Sequence, residues 1–148
     1  MKYTLFCVSY QLFKYYSIYI IFTQTKNDVL PLIGHFDSFV THKVNGEKYK
    51  YEVIARDHGE AINFVLKQFT DSKYPVINNL DEINAIGHRV VHGGEKFKQS
   101  TIVNEEVKKG IEDAIVFAPL HNPAHLQGIK ACEKLLPGKP NIAVFDTA

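Results

Sequence analysis

One segment limits the possible folds of this chain more than any other. Residues 83–91 form a largely apolar run that is interrupted near its end by His88 and Arg89. A run this apolar does not suit a strand with one face in water, so it predicts a strand covered on both faces, as in the centre of a parallel sheet. Two glycines at residues 93 and 94 then break the strand. We therefore expect an α/β domain built around this strand.

The elements after this strand predict a parallel neighbour for it. Asn104 is expected to cap a helix, and Asn122 at the cap with Pro123 at the first helical position predicts a second helix. Residues 141–145 form another apolar strand, which is followed directly by Asp146. The order strand, helices, strand is typical of two parallel strands joined by a crossover.

The first half of the chain predicts further strands and one helix. Residues 2–8 and 13–22 are rich in aromatic and branched residues, which favours two strands of one sheet. An Asn-Gly pair at residues 45 and 46 predicts a tight hairpin. Asp57, with Glu60 three residues later, predicts the start of an amphipathic helix. The expected architecture is thus a set of antiparallel strands that leads into a parallel sheet with helices.

The composition fits a single domain over residues 1–148 and excludes several classes of partner. The formal net charge is +1, from 17 Lys plus Arg against 16 Asp plus Glu, which provides no field to attract nucleic acid or an anionic membrane. Cys7 and Cys132 are too far apart in sequence for a C-x-x-C site or a disulfide framework. A cytoplasmic location is expected, because a reducing compartment suits such a chain. The longest uncharged apolar run near the start, residues 15–22, is too short to span a bilayer.

Two strand ends are candidates for a functional site, because open α/β sheets bind ligands at the carboxyl ends of parallel strands. Arg89 lies near the end of the first strand, where an arginine needs an anion or a carboxylate as its partner. The sequence does not decide between two roles for Arg89. It could bind an anion, or it could form an internal ion pair that only holds the fold. Asp146 follows the second strand, where a carboxylate could hold a hydrated magnesium ion or cap whatever follows.

Histidines provide a third candidate feature. His121 stands just before the predicted second helix, where it could donate a hydrogen bond to an oxyanion or simply orient the loop. His88 with His92, and His121 with His125, have a spacing that suggests zinc ligands. Residues four apart on a strand lie roughly 13 Å from each other, and His121 precedes its helix. A zinc site, and with it a metal-dependent hydrolase, is therefore not expected.

Three motifs together resemble the acetate kinase family. They are Ile-Gly-His-Arg-Val-Val-His-Gly-Gly-Glu at residues 86–95, Ala-Pro-Leu-His-Asn-Pro at residues 118–123 and Val-Phe-Asp-Thr-Ala at residues 144–148. The resemblance extends from about residue 28 to the end of the chain. It implies a ribonuclease-H-like domain of the superfamily of acetate and sugar kinases, heat-shock protein 70 and actin. The chain would be the incomplete amino-terminal domain, without the carboxyl-terminal nucleotide-binding domain.

The resemblance also implies a function. Acetate kinases transfer the γ-phosphoryl group of ATP to acetate with magnesium, giving acetyl phosphate and ADP. By resemblance, Arg89 would contact the acetate carboxylate or the phosphoryl group, and Val91 with Leu120 would form the pocket for the methyl group. His121 would lie beside the transferring group, and Asp146 would organise Mg²⁺ and the reacting acetate. The resemblance is also compatible with a family-like homodimer.

The chain departs from the family pattern in its phosphate loop. Residues 7–14 stand where the family has Asn-x-Gly-Ser-Ser-Ser-x-Lys, and within that loop Lys14 is the match and the one candidate for a phosphate contact. Tyr10 and Leu12 are bulky where small residues would let backbone amides approach a phosphate. The isolated chain is therefore expected to be inactive or nearly so. A propionate or butyrate kinase fragment and a non-catalytic module that retains the fold are the alternatives.

Overall fold

The computed structural model describes residues 3–7, 18–20, 39–44, 47–75 and 77–148, and the side chains of residues 48–75 and 77–148. The described residues form seven strands and three α-helices. The strands are β1 (Tyr3–Cys7), β2 (Ile18–Ile20), β3 (Phe39–Val44), β4 (Glu47–Glu52), β5 (Ile83–Val90), β6 (Thr101–Ile102) and β7 (Asn141–Phe145). The helices are α1 (His58–Thr70), α2 (Glu105–Asp113) and α3 (Asn122–Leu135).

Five of these strands form one mixed sheet in the order β2-β1-β5-β7-β6. β1 pairs in parallel with both β2 and β5, and β5 pairs in parallel with β7, whereas β6 is antiparallel to β7. The predicted central strand is confirmed, because β5 has a parallel neighbour on each side. The predicted parallel pairing of the two apolar strands is confirmed as well.

The expected antiparallel arrangement of the first strands is only partly right. β3 and β4 do form an antiparallel hairpin, with Val44 opposite Glu47, but as a separate two-stranded sheet. The Asn-Gly pair itself lies outside the described residues. β1 and β2 are parallel, so the prediction is wrong for this pair. Parallel strands usually need a connection of about a dozen residues or more. Only residues 8–17 lie between β1 and β2, so the spacing in sequence did not indicate this pairing.

The predicted helix after residue 57 is confirmed as α1. The Asp57 side chain accepts a hydrogen bond from the backbone N–H of Glu60, at 2.8 Å. The Glu60 carboxylate in turn accepts from the backbone N–H of Arg56, also at 2.8 Å. The first bond satisfies one of the N–H groups that the helix start leaves free, and the second holds the residue before the cap. The face of α1 that packs on the core consists of Ala61, Ile62, Val65, Leu66 and Phe69.

Two apolar clusters pack on the sheet. The first lies between α1, the start of β5 and the end of α3, with Ile62, Ile83 and Cys132 among its buried members. The second lies between α2, α3 and the ends of β5 and β7, with Val90 and Ile129 fully buried. The second cluster therefore fixes the carboxyl ends of β5 and β7 against the helices. Among the described residues, no helix has the length and apolar character needed to cross a membrane.

Two glycines enclose a pair of stacked aromatic rings in the second cluster. The rings of Phe97 and Phe145 stack with centroids 5.4 Å apart. A Cβ atom at Gly93 would lie 2.7 Å from the Phe145 ring, and one at Gly110 would overlap the Phe97 ring. Both positions therefore need glycine for space.

This packing reverses the usual effect of replacing a helical glycine. We expect Gly110→Ala to lower the free energy of unfolding by about 1–3 kcal/mol, because the Phe97 ring must move. Gly128→Ala in α3 is the matched control, since a Cβ there would meet no atom within 4 Å. It should raise the free energy of unfolding by about 0.5–1 kcal/mol. Urea unfolding followed by circular dichroism measures both, and equal effects of the two substitutions would contradict the packing described here.

Candidate active site

Arg89 and Asp146 form an ion pair at the carboxyl edge of the sheet. Arg89 is the second-last residue of β5 and Asp146 directly follows β7, so their parallel strands bring them together. The Arg89 Nε donates to Asp146 Oδ1 at 2.8 Å, and Nη2 donates to Oδ2 at 2.7 Å. The two side chains are 32% and 35% exposed. An ion pair between Arg89 and a carboxylate was one of the two predicted arrangements, and the structure shows one with Asp146. The pair is not internal, because both side chains are open to solvent.

The loops that follow β5 and β7 are tied to each other. The backbone N–H of Gly93 donates to Thr147 Oγ1 at 3.3 Å, and that of Gly94 donates to His92 Nδ1 at 3.0 Å. Because Nδ1 accepts this bond, a neutral His92 carries its proton on Nε2. The His92 ring also stacks on Phe117, with centroids 4.8 Å apart. These contacts fix the two loops that follow β5 and β7 relative to each other.

Asn122 fastens the start of α3 to this edge. Its side chain is fully buried and donates to the backbone oxygens of His92 at 2.9 Å and Ile111 at 3.0 Å. The prediction that Asn122 caps the helix is wrong: His121 is at the cap and its side chain makes no capping bond. The preference of asparagine for helix caps reflects hydrogen bonds to nearby backbone N–H groups. Here the side-chain amide of Asn122 instead donates to two backbone carbonyls that are distant in sequence. As a result the preceding residue, His121, is held beside the loop after β5.

His121 is exposed, and its ring lies next to that of His125, with centroids 6.5 Å apart. His125 is more buried, and burial is the main reason that its pKa falls from 6.5 to about 4. The charges of His121 and Arg89 lower the pKa further, while Asp146 acts in the opposite direction. His125 therefore stays neutral at pH 7, and the three predicted residues all act on its ring. From the sequence, His125 was weighed only as a zinc ligand, because His121 precedes the helix. In the structure the backbone of His121 at the cap is already in the right-handed helical region, which brings the two rings together.

The lowered pKa of His125 makes stability depend on pH in a predictable direction. Above pH 6.5 the ring is neutral in both the folded and the unfolded chain, so it adds no pH dependence. Between pH 6.5 and about 4 the unfolded chain binds the proton more readily, so stability falls as pH falls. We expect this group to cost about 1–2 kcal/mol at pH 4.5 relative to pH 7.

Urea unfolding of the wild-type chain and His125→Gln at both pH values isolates this effect. Other groups titrate alike in the two proteins, so the difference between them reports on His125. The glutamine variant should lose less stability on acidification. Equal losses in the two proteins would show that the ring is not protected from protonation in the folded chain.

The apolar residues at the edge do not enclose a pocket within the described residues. Val91 is half-buried, but Leu120 is 63% exposed and Phe117 is 65% exposed. A surface cavity of about 220 Å³ lies nearby, yet neither Val91 nor Leu120 lines it.

Two further candidates concern phosphate and metal binding. Lys14 lies outside the described residues. Within residues 48–75 and 77–148, no three His, Cys, Asp or Glu side chains are grouped to hold a metal ion. Asp146 contributes a single carboxylate with both oxygens engaged by Arg89.

Comparison with known proteins places these residues in one family. The sequence pattern of the acetokinase family matches residues 8–148, a longer stretch than the one predicted from residue 28. Acetate kinase of Finegoldia magna is 55% identical over 135 residues, which cover 88% of this chain and 34% of the relative. Acetate kinase of Caldicellulosiruptor saccharolyticus is 56% identical over 120 residues, covering 81% of this chain and 30% of the relative.

Solved structures agree with the sequence comparison. The crystal structure of Porphyromonas gingivalis acetate kinase superposes with a TM-score of 0.75 at 47% identity, covering 78% of this chain and 29% of that one. A propionate kinase from Francisella tularensis gives a TM-score of 0.69 at 35% identity, with the same coverage of 78% and 29%. The chain thus spans about a third of the length of the relatives it matches. Because the family pattern covers nearly the whole sequence, the chain belongs to the acetokinase family.

Proposed function

We propose that this chain is the amino-terminal, substrate-binding domain of an acetate kinase, residues 1–148, with a ribonuclease-H-like fold. In this proposal the domain binds acetate, and the phosphoryl group comes from ATP with Mg²⁺ in the cytoplasm. The observation that carries the proposal is the exposed pair of Arg89 and Asp146 between the ends of two parallel strands. Ligands of open α/β sheets bind at such an edge.

The chemistry of the reaction fits the residues present. Acetate is already ionised at neutral pH, so its oxygen can attack the γ-phosphorus without a base to remove a proton. A P–O bond forms to acetate while the P–O bond to ADP breaks, and the site must mainly align the reactants and offset negative charge. A guanidinium is suited to this task, because its planar fork binds carboxylate and phosphoryl oxygens through two hydrogen bonds.

Each remaining candidate has a role in this proposal. Arg89 would leave Asp146 to hold the acetate carboxylate or the phosphoryl group, and His121 would lie beside the group in transfer. Val91 and Leu120 would contact the methyl group. Asp146 would hold the water shell of Mg²⁺, which neutralises phosphate charge when it is bound with ATP. Lys14 would contribute a phosphate contact.

A propionate kinase is the second candidate, and the match to the Francisella tularensis propionate kinase favours it. Leu120 is largely exposed, so the depth of the acyl pocket depends on residues that complete it. Comparing the turnover of the two acids, acetate and propionate, distinguishes an acetate kinase from a propionate kinase. A preference for propionate of more than about tenfold would require at least one added methylene to be well buried.

The test is a fusion of the whole 148-residue chain to the part of Finegoldia magna acetate kinase that follows the matched region. We call this the fusion protein. With ATP, Mg²⁺, acetate and hydroxylamine, the chain alone should form no acetyl hydroxamate above background. The fusion protein should form it, and more so when residues 7–14 are replaced by the family's phosphate loop. The proposal fails if that repaired fusion protein folds and is inert, and the claim that the isolated chain is inactive fails if the chain alone turns over.

A further inference from the structure

One buried nitrogen at this edge has no role in the site as described so far. The Nε2 atom of His125 is shielded from solvent, and it has no hydrogen-bond partner within the part of the chain that the structure describes. Buried polar atoms are paired in nearly all native structures, because an unpaired one forfeits its bond to water. An atom of this kind beside a binding edge is therefore a candidate for a ligand contact.

The surroundings of His125 point to the class of ligand. Its ring lies next to that of His121, and the charges of Arg89 and Asp146 both act on it. A guanidinium prefers an anion as its partner. Arg89 is close enough for its charge to act on this ring, so an anion held by Arg89 would lie near His125. A neutral imidazole has one N–H, and an oxyanion offers only lone pairs, so the tautomer with the proton on Nε2 matches it.

We propose that His125 is a further substrate-binding residue, whose Nε2–H donates a hydrogen bond to an oxygen of the oxyanion held by Arg89. This inference rests on the proposed function and names one more contact in the same site. The shared ligand chemistry is a carboxylate or phosphoryl oxygen. His125 acts as a neutral donor here and does not take a proton from acetate, because acetate is already ionised.

Two substitutions separate this contact from packing. The amide of His125→Gln can reach close to the position of Nε2 and still donates a hydrogen bond. In contrast, His125→Phe keeps a flat ring of similar size but has no donor. A role in packing alone would favour the phenylalanine variant, whereas a bond to an oxyanion favours the glutamine variant.

The experiment uses the whole chain labelled with ¹⁵N, titrated with acetate and, separately, with inorganic phosphate. Long-range ¹H–¹⁵N spectra follow the ring nitrogens of His125 and the Nε of Arg89. Both signals should shift with one common Kd. His125→Phe should raise that Kd by about tenfold, as expected for loss of a hydrogen bond to a charged group, and His125→Gln by less than about threefold.

The outcomes are distinguishable. A shift at both residues with acetate, with phosphate or with both supports the inference and identifies the oxyanion. A shift at Arg89 without one at His125 overturns it and leaves the proposed function standing. No shift at Arg89 with either anion overturns both. If His125→Phe fails to fold, the wild-type ring signal and the glutamine variant still decide the question.

Discussion

Arg89→Ala should weaken acetate binding to this chain by about 10²-fold and lower the turnover of the fusion protein by about 10²- to 10³-fold. The reason is that Arg89 lies at the carboxyl end of β5, where its guanidinium already donates two hydrogen bonds to the Asp146 carboxylate at 2.7–2.8 Å. Removing it leaves an incoming anion without a bidentate partner and leaves Asp146 as an unpaired negative charge beside it. Nuclear magnetic resonance titration with acetate measures the first effect, and hydroxamate formation measures the second.

Arg56→Ala is the matched control for this prediction. Arg56 is the other arginine of the chain and is exposed just before α1. Its removal should change neither acetate binding nor turnover by more than about twofold. Stability should change little in either variant, because a solvent-exposed ion pair contributes on the order of 1 kcal/mol or less. Unchanged binding in Arg89→Ala would mean that the ion pair only joins two strand ends, and the proposed function would lose its main support.

Much of the fold follows from patterns that are local in sequence. The apolar stripe of α1 and the caps at Asp57 and Asn104 involve residues three or four apart, and the structure confirms them. The run at residues 83–91 predicts a central strand because it is too apolar for either face of the strand to be exposed to solvent. The parallel pairing of β1 and β2 was not predicted, because pairing depends on where the intervening chain travels and not on the composition of the strands.

The site shows the same division between local and distant information. Strand order predicts that Arg89 and Asp146 approach one edge, but it cannot predict that they bond to each other. Asn122 carries every local signal of a helix cap, and yet its amide serves the carbonyls of His92 and Ile111, 30 and 11 positions away. Such competition between local and distant partners is decided by tertiary packing, which periodicity and spacing do not contain.

Under the proposed function, the ion pair would make substrate binding an exchange of partners. Asp146 accepts hydrogen bonds from Nε and Nη2 of Arg89, which an acetate carboxylate would need. The carboxylate of the protein would therefore compete with that of the proposed substrate. This competition gives Asp146 two opposite effects. It would weaken the hold of Arg89 on acetate, while in the proposed reaction its charge is needed for transfer.

Asp146→Asn should therefore separate binding from turnover. Acetate binding to the chain should tighten by up to about fivefold, because a competitor worth on the order of 1 kcal/mol is removed. Turnover of the fusion protein should fall by about 10²-fold or more, because an amide cannot replace the carboxylate beside Mg²⁺ and the transferring group. The titration and the hydroxamate assay described above measure the two effects, with acetate held above its KM in the assay.

Asp81→Asn provides the control, since Asp81 is an exposed carboxylate in the short turn before β5, at the opposite end of the strand from Arg89. It removes the same charge and should alter neither quantity by more than about twofold. If Asp146→Asn instead weakens acetate binding, Asp146 serves to orient Arg89 for the ligand and does not compete with it. If turnover survives the substitution, the carboxylate has no part in transfer, and the reaction would have to depend on Arg89 and the two histidines beside it.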